Sequence, residues 1–279
     1  MINFNGTLSP LSENLLANNR AFLFGDGVFE TIKILDNKIL FLEDHYFRLM
    51  SAMRIIRMEI PMNFTMEYFE TQILITAQDS KCLDSGRIRL TIYRSDGGYY
   101  LPKTNTVGFL IQAEFLENRI YSFDDLPYEV DLYKDFYVTK QLLSSVKTTN
   151  KILNITASIF ASENGLQNCL LLNDSKNVVE AIQGNIFMLT DHQLITPPIS
   201  DGCINGVMRK QILNLAKKIE NLEVREESIS PFDLQQADEL FITNVIKGIL
   251  PIKKYRKKEF RTNVATDLLL KLNALVKLS

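Results

Sequence analysis

Residues 144–154 read SSVKTTNKILN, and this stretch sets one lysine, Lys147, among small neutral neighbours just before an apolar run. No aspartate or glutamate lies within ten residues of Lys147 on either side. Lysine amines react with aldehydes as Schiff-base nucleophiles when desolvation or a nearby cation lowers their pKa. Lys147 is therefore a candidate for covalent chemistry. A surface lysine at the end of a strand is the alternative that this stretch leaves open.

A glycine followed by an amphipathic helix is predicted in the stretch INGVMRKQ at residues 204–211. The first backbone N–H groups of a helix have no partner within the helix, and together with the helix dipole they bind anions. Arg209 and Lys210 occupy the predicted first turn without an acidic residue, contrary to the usual preference there. A phosphate bound at Gly206 would account for that pattern. An ordinary loop-to-helix transition is the alternative.

Two charged side chains stand in apolar surroundings. Glu180 lies within NVVEAIQGNIF, and a buried carboxylate needs a cationic or hydrogen-bonding partner, for example a protonated heterocycle. Arg48 lies on the apolar stripe of a predicted helix and offers a fixed fork of donors for phosphate oxygens. A strand position facing water for Glu180 and a guanidinium reaching solvent for Arg48 are the alternatives.

These signals together match the chemical needs of pyridoxal 5′-phosphate. That cofactor requires an amine for its aldehyde, an acid against its ring nitrogen, and an arginine with helix N–H groups for its phosphate. Lys147, Glu180, Arg48 and the turn at Gly206 are candidates for these tasks. The sequence therefore predicts pyridoxal 5′-phosphate as the cofactor.

Composition argues against several other kinds of protein. Lys+Arg 31 against Asp+Glu 33 in 279 residues gives no general attraction to nucleic acid or an anionic membrane. No apolar run approaches the ~20 residues of a membrane helix. The two histidines, His45 and His192, are expected to be solvated, so we expect no metal site and no Ser-His-Asp triad. Three distant cysteines without a CxxC motif, and an N-terminus unlike a secretory signal, favour the cytoplasm.

The order of predicted elements indicates an α+β fold in two domains. The stretch FLFGDGVFETIKIL at 22–35 is strand-like and is followed by two predicted helices and two alternating strands. After a polar stretch, short strands accompany further helices, of which the clearest is predicted over 206–222. The predicted organisation is a small N-terminal α/β domain over residues 1–115, a linker over 116–127 and a large C-terminal domain over 128–279.

Six motifs in this order resemble the class IV aminotransferases, the fold-type IV pyridoxal-phosphate enzymes. The motifs are FLFGDGVFETIKI, LEDHYFRLMSA, SVKTTN, VVEAIQGNIF, LITPPISDGCINGVMRK and ADELFITNVIKGILPI. The resemblance covers nearly the whole chain. It implies that Lys147 bonds the cofactor aldehyde, Glu180 faces the pyridine nitrogen and Arg48 binds the phosphate. It also implies cofactor contacts from Gly206, Val207, Met208, Asn244 and Val245.

The resemblance carries expectations for the architecture and the partners. It implies a small N-terminal α/β sandwich and a larger, β-barrel-like C-terminal domain with helices. It further implies a homodimer with active sites near the subunit interface, and a small-molecule amino substrate.

Departures from the family pattern bear on the branch to which the chain is most similar. Lys151 stands where many aminotransferases of the family have a tyrosine, and Phe24 stands where the branched-chain enzymes have one. Residues 244–248 differ from the Gly-Thr-Ala-Ala-Glu-like run of the branched-chain enzymes. The pattern from Asn205 to Arg209, together with Asn244, resembles the 4-amino-4-deoxychorismate lyases.

The substrate-binding residues expected from the resemblance are Phe24, Arg94 and Tyr99. Tyr99 follows two glycines where the lyases have an arginine, so Arg94 is the expected partner of the substrate carboxylate. The expected activity is 4-amino-4-deoxychorismate lyase, which yields 4-aminobenzoate and pyruvate. An aminotransferase acting on branched-chain or D-amino acids with 2-oxoglutarate is the alternative, as is a non-catalytic binding protein of the same fold.

Overall fold

The computed structural model describes residues 2–9, 18–123 and 126–278, and the contacts divide the chain into two units. Unit 1 comprises Met1–Arg119 and Val146–Asn150, and unit 2 comprises Ile120–Ser145 and Lys151–Ser279. The α+β fold class expected from the sequence is confirmed. The domain limits stay a prediction, and residues 124 and 125 of the expected linker lie outside the described residues. The contact-defined units differ from those limits in assigning the Lys147 segment to unit 1.

Unit 1 contains one antiparallel sheet whose strand order is β2-β1-β6-β5-β3-β4. Its strands are β1 Ile2–Phe4, β2 Thr7–Ser9, β3 Gly27–Leu35, β4 Lys38–Ile39, β5 Ser85–Arg94 and β6 Val107–Phe115. Its helices are α1 Arg20–Phe24, α2 Leu42–Ile55 and α3 Met66–Asp79. Helices α2 and α3 share a buried apolar core with β3, β5 and β6. Alternate residues of β3 reach that core because successive side chains of a strand point to opposite faces.

The strand predicted to begin at residue 22 is wrong for its first residues, which form α1. Asn19 accepts a hydrogen bond from the backbone N–H of Ala21 at 2.9 Å, which is a helix N-cap. Gly25 then ends the helix in the left-handed region at φ 67°. These two end signals outweigh the strand propensity of FLF, so β3 begins only at Gly27.

The Lys147 segment is held in unit 1 by backbone hydrogen bonds to β3. Phe29 N–H donates to the Lys147 carbonyl at 3.0 Å, and Thr149 N–H donates to the Gly27 carbonyl at 2.9 Å. Gly27 permits this approach, because a Cβ there would lie 2.9 Å from the Ile92 carbonyl and 3.2 Å from a Thr149 methyl. The backbone on either side of the lysine is therefore fixed to the start of β3.

Unit 2 contains two five-stranded sheets, ordered β12-β11-β10-β13-β14 and β16-β15-β7-β8-β9. The strands are β7 Glu129–Val138, β8 Asn168–Asn173, β9 Val178–Ala181, β10 Asn185–Thr190, β11 Gln193–Thr196, β12 Glu223–Glu226, β13 Glu239–Asn244, β14 Gly248–Ile252, β15 Lys254–Tyr255 and β16 Lys258–Glu259. The helices are α4 Ile152–Glu163, α5 Val207–Ala216, α6 Asp233–Gln236 and α7 Asn263–Leu278. Apolar residues of both sheets form one buried core.

Helix α5 is shorter than the helix predicted over 206–222, because it ends at Ala216. The next residues form tight turns, in which Lys218 N–H donates to the Leu215 carbonyl at 3.1 Å. Asn221 then takes a left-handed conformation at φ 61°, just before β12. Among the described residues, no helix has the length and apolar composition that crossing a bilayer requires.

Candidate active site

The Lys147 side chain lies against an aromatic ring of β3. Its Nζ is 4.4 Å from the centroid of the Phe29 ring. Val146 beside it is buried in the unit 1 core, and the Thr149 hydroxyl donates to the Gly25 carbonyl at 2.9 Å. The amine therefore projects from a backbone that is anchored before and after it.

A second cation, Arg89 of β5, contacts the same ring and was missed by the sequence analysis. Its Cζ lies 3.9 Å from the Phe29 centroid. Within residues 2–9, 18–123 and 126–278, no carboxylate pairs with the Arg89 guanidinium. Burial, and then the charge of Arg87, lower the pKa of Arg89. The strand alternation of RIRLTIYR could place Arg89 on one face, but only the register with β3 brings it to Phe29.

Arg48 of α2 is paired with a buried carboxylate of β3. Its Nε donates to Glu30 Oε1 at 2.7 Å, and its Nη2 donates to Glu30 Oε2. His45, one turn earlier in α2, contacts Glu30 Oε2 through Nδ1 at 2.7 Å. The expectation that His45 is solvated is wrong, because this side chain is only 1% exposed. The His45 ring is buried because it binds the buried carboxylate of Glu30 on β3.

The residues expected to bind substrate are connected through Arg20 of α1. The Arg20 guanidinium lies 4.9 Å from the centroid of the Phe24 ring. Its Nη1 donates to the Tyr99 carbonyl at 2.7 Å, and its Nε donates to Asp26 at 2.8 Å. The Tyr99 side chain itself is exposed. Unit 1 therefore brings Phe24, Tyr99 and, through Asp26, Arg94 into one network that sequence reasoning did not foresee.

Arg94 is a buried member of this network, and several acceptors of unit 1 surround its guanidinium. Nε donates to Asp26 at 3.0 Å, Nη1 donates to Asn105 Oδ1 at 2.6 Å, and Nη2 donates to the Ile56 carbonyl at 2.8 Å. Its hydrogen bonds therefore hold the end of β5. The expected contact between Arg94 and a substrate carboxylate stays a prediction.

Unit 2 brings Glu180 of β9 to the loop that precedes α5. Glu180 is 8% exposed, and its Oε2 accepts the Ile204 N–H at 3.0 Å. Asn185 Nδ2 donates to the Ile204 carbonyl at 2.8 Å, so both backbone polar groups of Ile204 are held. Burial lowers the pKa of Lys151, while the charge of Glu180 opposes that shift. The buried acid thus lies in a polar setting that includes a lysine.

The start of α5 has the features of an anion site. Gly206 caps the helix without a side-chain hydrogen bond, and the first turn contains no acid. Lys210 N–H donates to the Gly206 carbonyl as the first helical hydrogen bond, so the N–H groups of Val207 and Met208 have no partner within the helix. A Cβ at position 206 would lie 2.0 Å from Asn185 Oδ1, so only glycine fits at this position. This geometry fits a phosphate group.

Asn244 and Val245 form a turn at the end of β13. Asn244 Oδ1 accepts the N–H groups of Ile246 at 3.1 Å and Lys247 at 2.9 Å. The Val245 carbonyl accepts the Tyr121 hydroxyl at 2.8 Å. The turn is thus held by its own asparagine, as is common for Asn in loops. In the described part of the chain, no group of His, Cys, Asp or Glu side chains could hold a metal ion.

The chain thus carries a lysine beside an aromatic ring, a buried acid and a helix start suited to phosphate. Such a set suits an enzyme that holds a phosphorylated aldehyde cofactor. A family model described as amino-transferase class IV matches residues 27–255. The chain belongs to the class IV aminotransferase family. Membership confirms the resemblance, the expectation of an enzyme and pyridoxal phosphate as its cofactor.

Known relatives agree with this family. A protein of Methanocaldococcus jannaschii, provisionally named a branched-chain-amino-acid aminotransferase, is 30% identical over 84% of this chain and 80% of its own. The branched-chain amino acid aminotransferase of Escherichia coli has a similar fold, with a TM-score of 0.87, 21% identity, and coverage of 98% of this chain and 93% of that one. A Legionella pneumophila protein provisionally named a 4-amino-4-deoxychorismate lyase also has a similar fold. Its TM-score is 0.82, its sequence identity is 22%, and the match covers 97% of this chain and 97% of that one.

Proposed function

We propose that the protein is an aminotransferase that moves an amino group from an amino acid to a 2-oxo acid, with pyridoxal 5′-phosphate as cofactor. The observation that carries this proposal is that Lys147 and Arg89 both contact the Phe29 ring. Transamination needs an amine for the cofactor and the substrate α-proton, and a cation for a substrate carboxylate. The relative from M. jannaschii, with its aminotransferase name, supports the same reaction.

Lys147 has two tasks in this proposal. Its amine holds the cofactor aldehyde before substrate arrives, and afterwards it moves the proton at the substrate α-carbon. The cofactor supplies an electron sink for the bond that breaks. The Phe29 ring lies beside the amine, with its centroid 4.4 Å from Nζ, and forms one wall of the space around it.

Glu180, Arg48 and the start of α5 hold the cofactor in this proposal. The buried carboxylate of Glu180 keeps the ring nitrogen protonated, since opposite charges attract more strongly away from water. The Arg48 guanidinium and the N–H groups at Val207 and Met208 bind the phosphate. The side chains of Asn244 and Val245 remain predicted contacts.

Arg89 is the proposed partner of a substrate carboxylate. It is half-buried on the face of β5 that carries the contact with Phe29, and it has no acidic partner among the described residues. A half-buried guanidinium without a carboxylate gains from binding one, because part of its hydration has already been removed. A dicarboxylic substrate such as 2-oxoglutarate would supply that group.

The lyase activity expected from the sequence is the second candidate. The pattern from Asn205 to Arg209 favours it, and the fold of the Legionella protein is compatible with it. Lyase and aminotransferase would use the same lysine, acid and phosphate site. They differ in the substrate, so an assay of products decides between them.

The test incubates purified holoenzyme with 2-oxoglutarate and L-leucine or D-alanine, and separately with 4-amino-4-deoxychorismate. We expect glutamate from the first mixtures and no 4-aminobenzoate from the last. The variant Lys147→Ala should lose both turnover and the visible absorbance of the bound cofactor. Release of 4-aminobenzoate without glutamate would contradict the proposed aminotransferase activity and show that the protein is a lyase. Normal turnover in Lys147→Ala would remove the lysine from its role.

We also propose a cytoplasmic homodimer. Cys82, Cys169 and Cys203 are buried free thiols, as expected for a reducing compartment. An apolar face of α4 in unit 2 supports the dimer, because this helix exposes isoleucines one or two turns apart. We call it the α4 face; its members are Ile152, Ile155 and Ile159. Exposed apolar side chains grouped on one side of a helix often mark protein interfaces.

A further inference from the structure

Glu30 is a carboxylate in an otherwise apolar row of β3. Val28, Ile32 and Ile34 share its side of the strand, and all three belong to the unit 1 core. Glu30 itself is 1% exposed. An ionised carboxylate in such a place is strongly unfavourable unless it is paired and hydrogen-bonded. A glutamate at this position therefore needs an explanation beyond packing.

The pairing comes from two side chains one turn apart on α2. Arg48 donates to both oxygens of Glu30, with Nε 2.7 Å from Oε1. His45 Nδ1 lies 2.7 Å from Oε2, and the two side chains share that oxygen. Although burial raises the pKa of Glu30, the charge of Arg48 and the hydrogen bond from His45 lower it to about 2. Glu30 is therefore ionised, and its two oxygens are directed at the helix.

This two-point contact fixes the plane of the Arg48 guanidinium. Glu30 binds the edge of the Arg48 guanidinium that carries Nε and Nη2. Because Glu30 is fixed on β3, the direction in which Nη1 points is fixed as well. The Arg48 side chain is 16% exposed, which leaves part of it accessible. His45 restrains the carboxylate in turn, as an outer residue restrains a ligand-binding one.

We propose that Glu30 is a positioning residue for the cofactor phosphate, which it serves by orienting Arg48. This inference rests on the proposed role of Arg48. A phosphate site built on a preoriented fork binds more tightly than one that must order a free arginine. The competing explanation is that Arg48 only neutralises a buried acid.

The test compares two ligands that differ only in the phosphate, pyridoxal 5′-phosphate and pyridoxal, on refolded or cofactor-stripped enzyme. Dissociation constants are measured by absorbance or fluorescence for the natural chain and for Glu30→Gln. We expect pyridoxal 5′-phosphate to bind about tenfold more weakly to Glu30→Gln, as for a lost charged hydrogen bond. Pyridoxal should bind as before. Glu114→Gln, which removes the exposed acid paired with Arg87, is the control and should change neither constant.

Further variants separate this inference from the proposed function. Arg48→Gln should lose the preference for the phosphorylated ligand, and adding Glu30→Gln to it should cause no further loss. An unchanged preference in Arg48→Gln would refute the phosphate role of Arg48 and with it the proposed site. A normal preference in Glu30→Gln, with Arg48→Gln impaired, would refute the positioning role alone. Equal losses for both ligands in Glu30→Gln would also refute it, because they indicate general damage.

One more variant covers the case in which Glu30→Gln does not fold. Arg48→Lys keeps the positive charge opposite Glu30 but lacks the fork that makes two directed contacts. If orientation matters, Arg48→Lys should lose most of the preference for pyridoxal 5′-phosphate over pyridoxal. If charge alone suffices, the preference should stay as in the natural chain, which would overturn the inference.

Discussion

Arg87 and Arg89 lie two residues apart on the same face of β5, yet their surroundings differ. Arg87 Nη1 donates to Glu114 on the neighbouring strand at 2.9 Å, and both side chains are substantially exposed. Such surface pairs contribute little. Arg89 instead lies against Phe29 without an acid among the described residues. Identical side chains on one strand thus have different capacities to bind an external carboxylate.

The variant Arg89→Gln should therefore lose affinity for a dicarboxylic substrate. We expect kcat/KM for 2-oxoglutarate to fall about tenfold to a hundredfold, as for a lost charged hydrogen bond. Steady-state kinetics on the holoenzyme measure this change, with Arg87→Gln as the matched control. An equal kcat/KM in both variants would show that Arg89 does not contact the substrate carboxylate.

At the scale of elements, β3 and α2 are joined through the Glu30 carboxylate, and this link makes their stability depend on pH. The folded pKa of Glu30 is about 2 against the ordinary 4.5, so its stabilisation is complete above about 4.5 and is lost as the pH falls toward 2. The shift corresponds to about 3 kcal/mol. Burial lowers the pKa of His45 against the opposing effect of Glu30, so the unfolded chain takes up this proton first as the pH falls below about 6.5.

Both groups therefore predict the same sign, namely a free energy of unfolding that decreases as the solution becomes acid. Urea unfolding of the cofactor-free protein between pH 7 and pH 3 measures it. Glu30→Gln should be less stable at pH 7 and should show a smaller decrease below pH 4.5. Glu114→Gln should keep the slope of the natural chain. A Glu30→Gln slope equal to that of the natural chain would contradict the assignment.

The same pair of elements illustrates what the sequence can and cannot predict. The apolar stripe around Arg48 predicted a helix, which is α2, because that stripe faces the core. The fate of His45 was not predictable, since it depends on a carboxylate of β3 that is 15 residues away. Arg89 was missed for a similar reason: its contact with Phe29 follows from strand register, which local patterns do not encode.

The candidate site was predictable to a different degree from the fold. Lys147, Glu180 and the start of α5 were identified because each departs from local expectation in its own stretch of sequence. The short helix α1 was missed, since its end signals at Asn19 and Gly25 compete with strongly β-forming residues. Sequence thus identified isolated reactive groups, while their supporting contacts required the structure.

At the scale of the whole molecule, the α4 face predicts self-association. Ile152, Ile155 and Ile159 are each more than half exposed and lie on one side of the helix, as their spacing of three and four residues requires. Covering such a face in a symmetric pair buries the same residues twice. A charge at its centre would have to be desolvated on association, so Ile155→Glu should shift the protein to monomer.

Sedimentation velocity at micromolar protein measures this shift, and far-ultraviolet circular dichroism checks that the variant remains folded. Ile75→Glu is the matched control, because Ile75 is also an exposed helical isoleucine, 41% accessible on α3. We expect the natural chain and Ile75→Glu to sediment as dimers and Ile155→Glu as a monomer. A monomeric natural chain would refute the dimer. A dimeric Ile155→Glu would assign the subunit contact to a surface other than the α4 face.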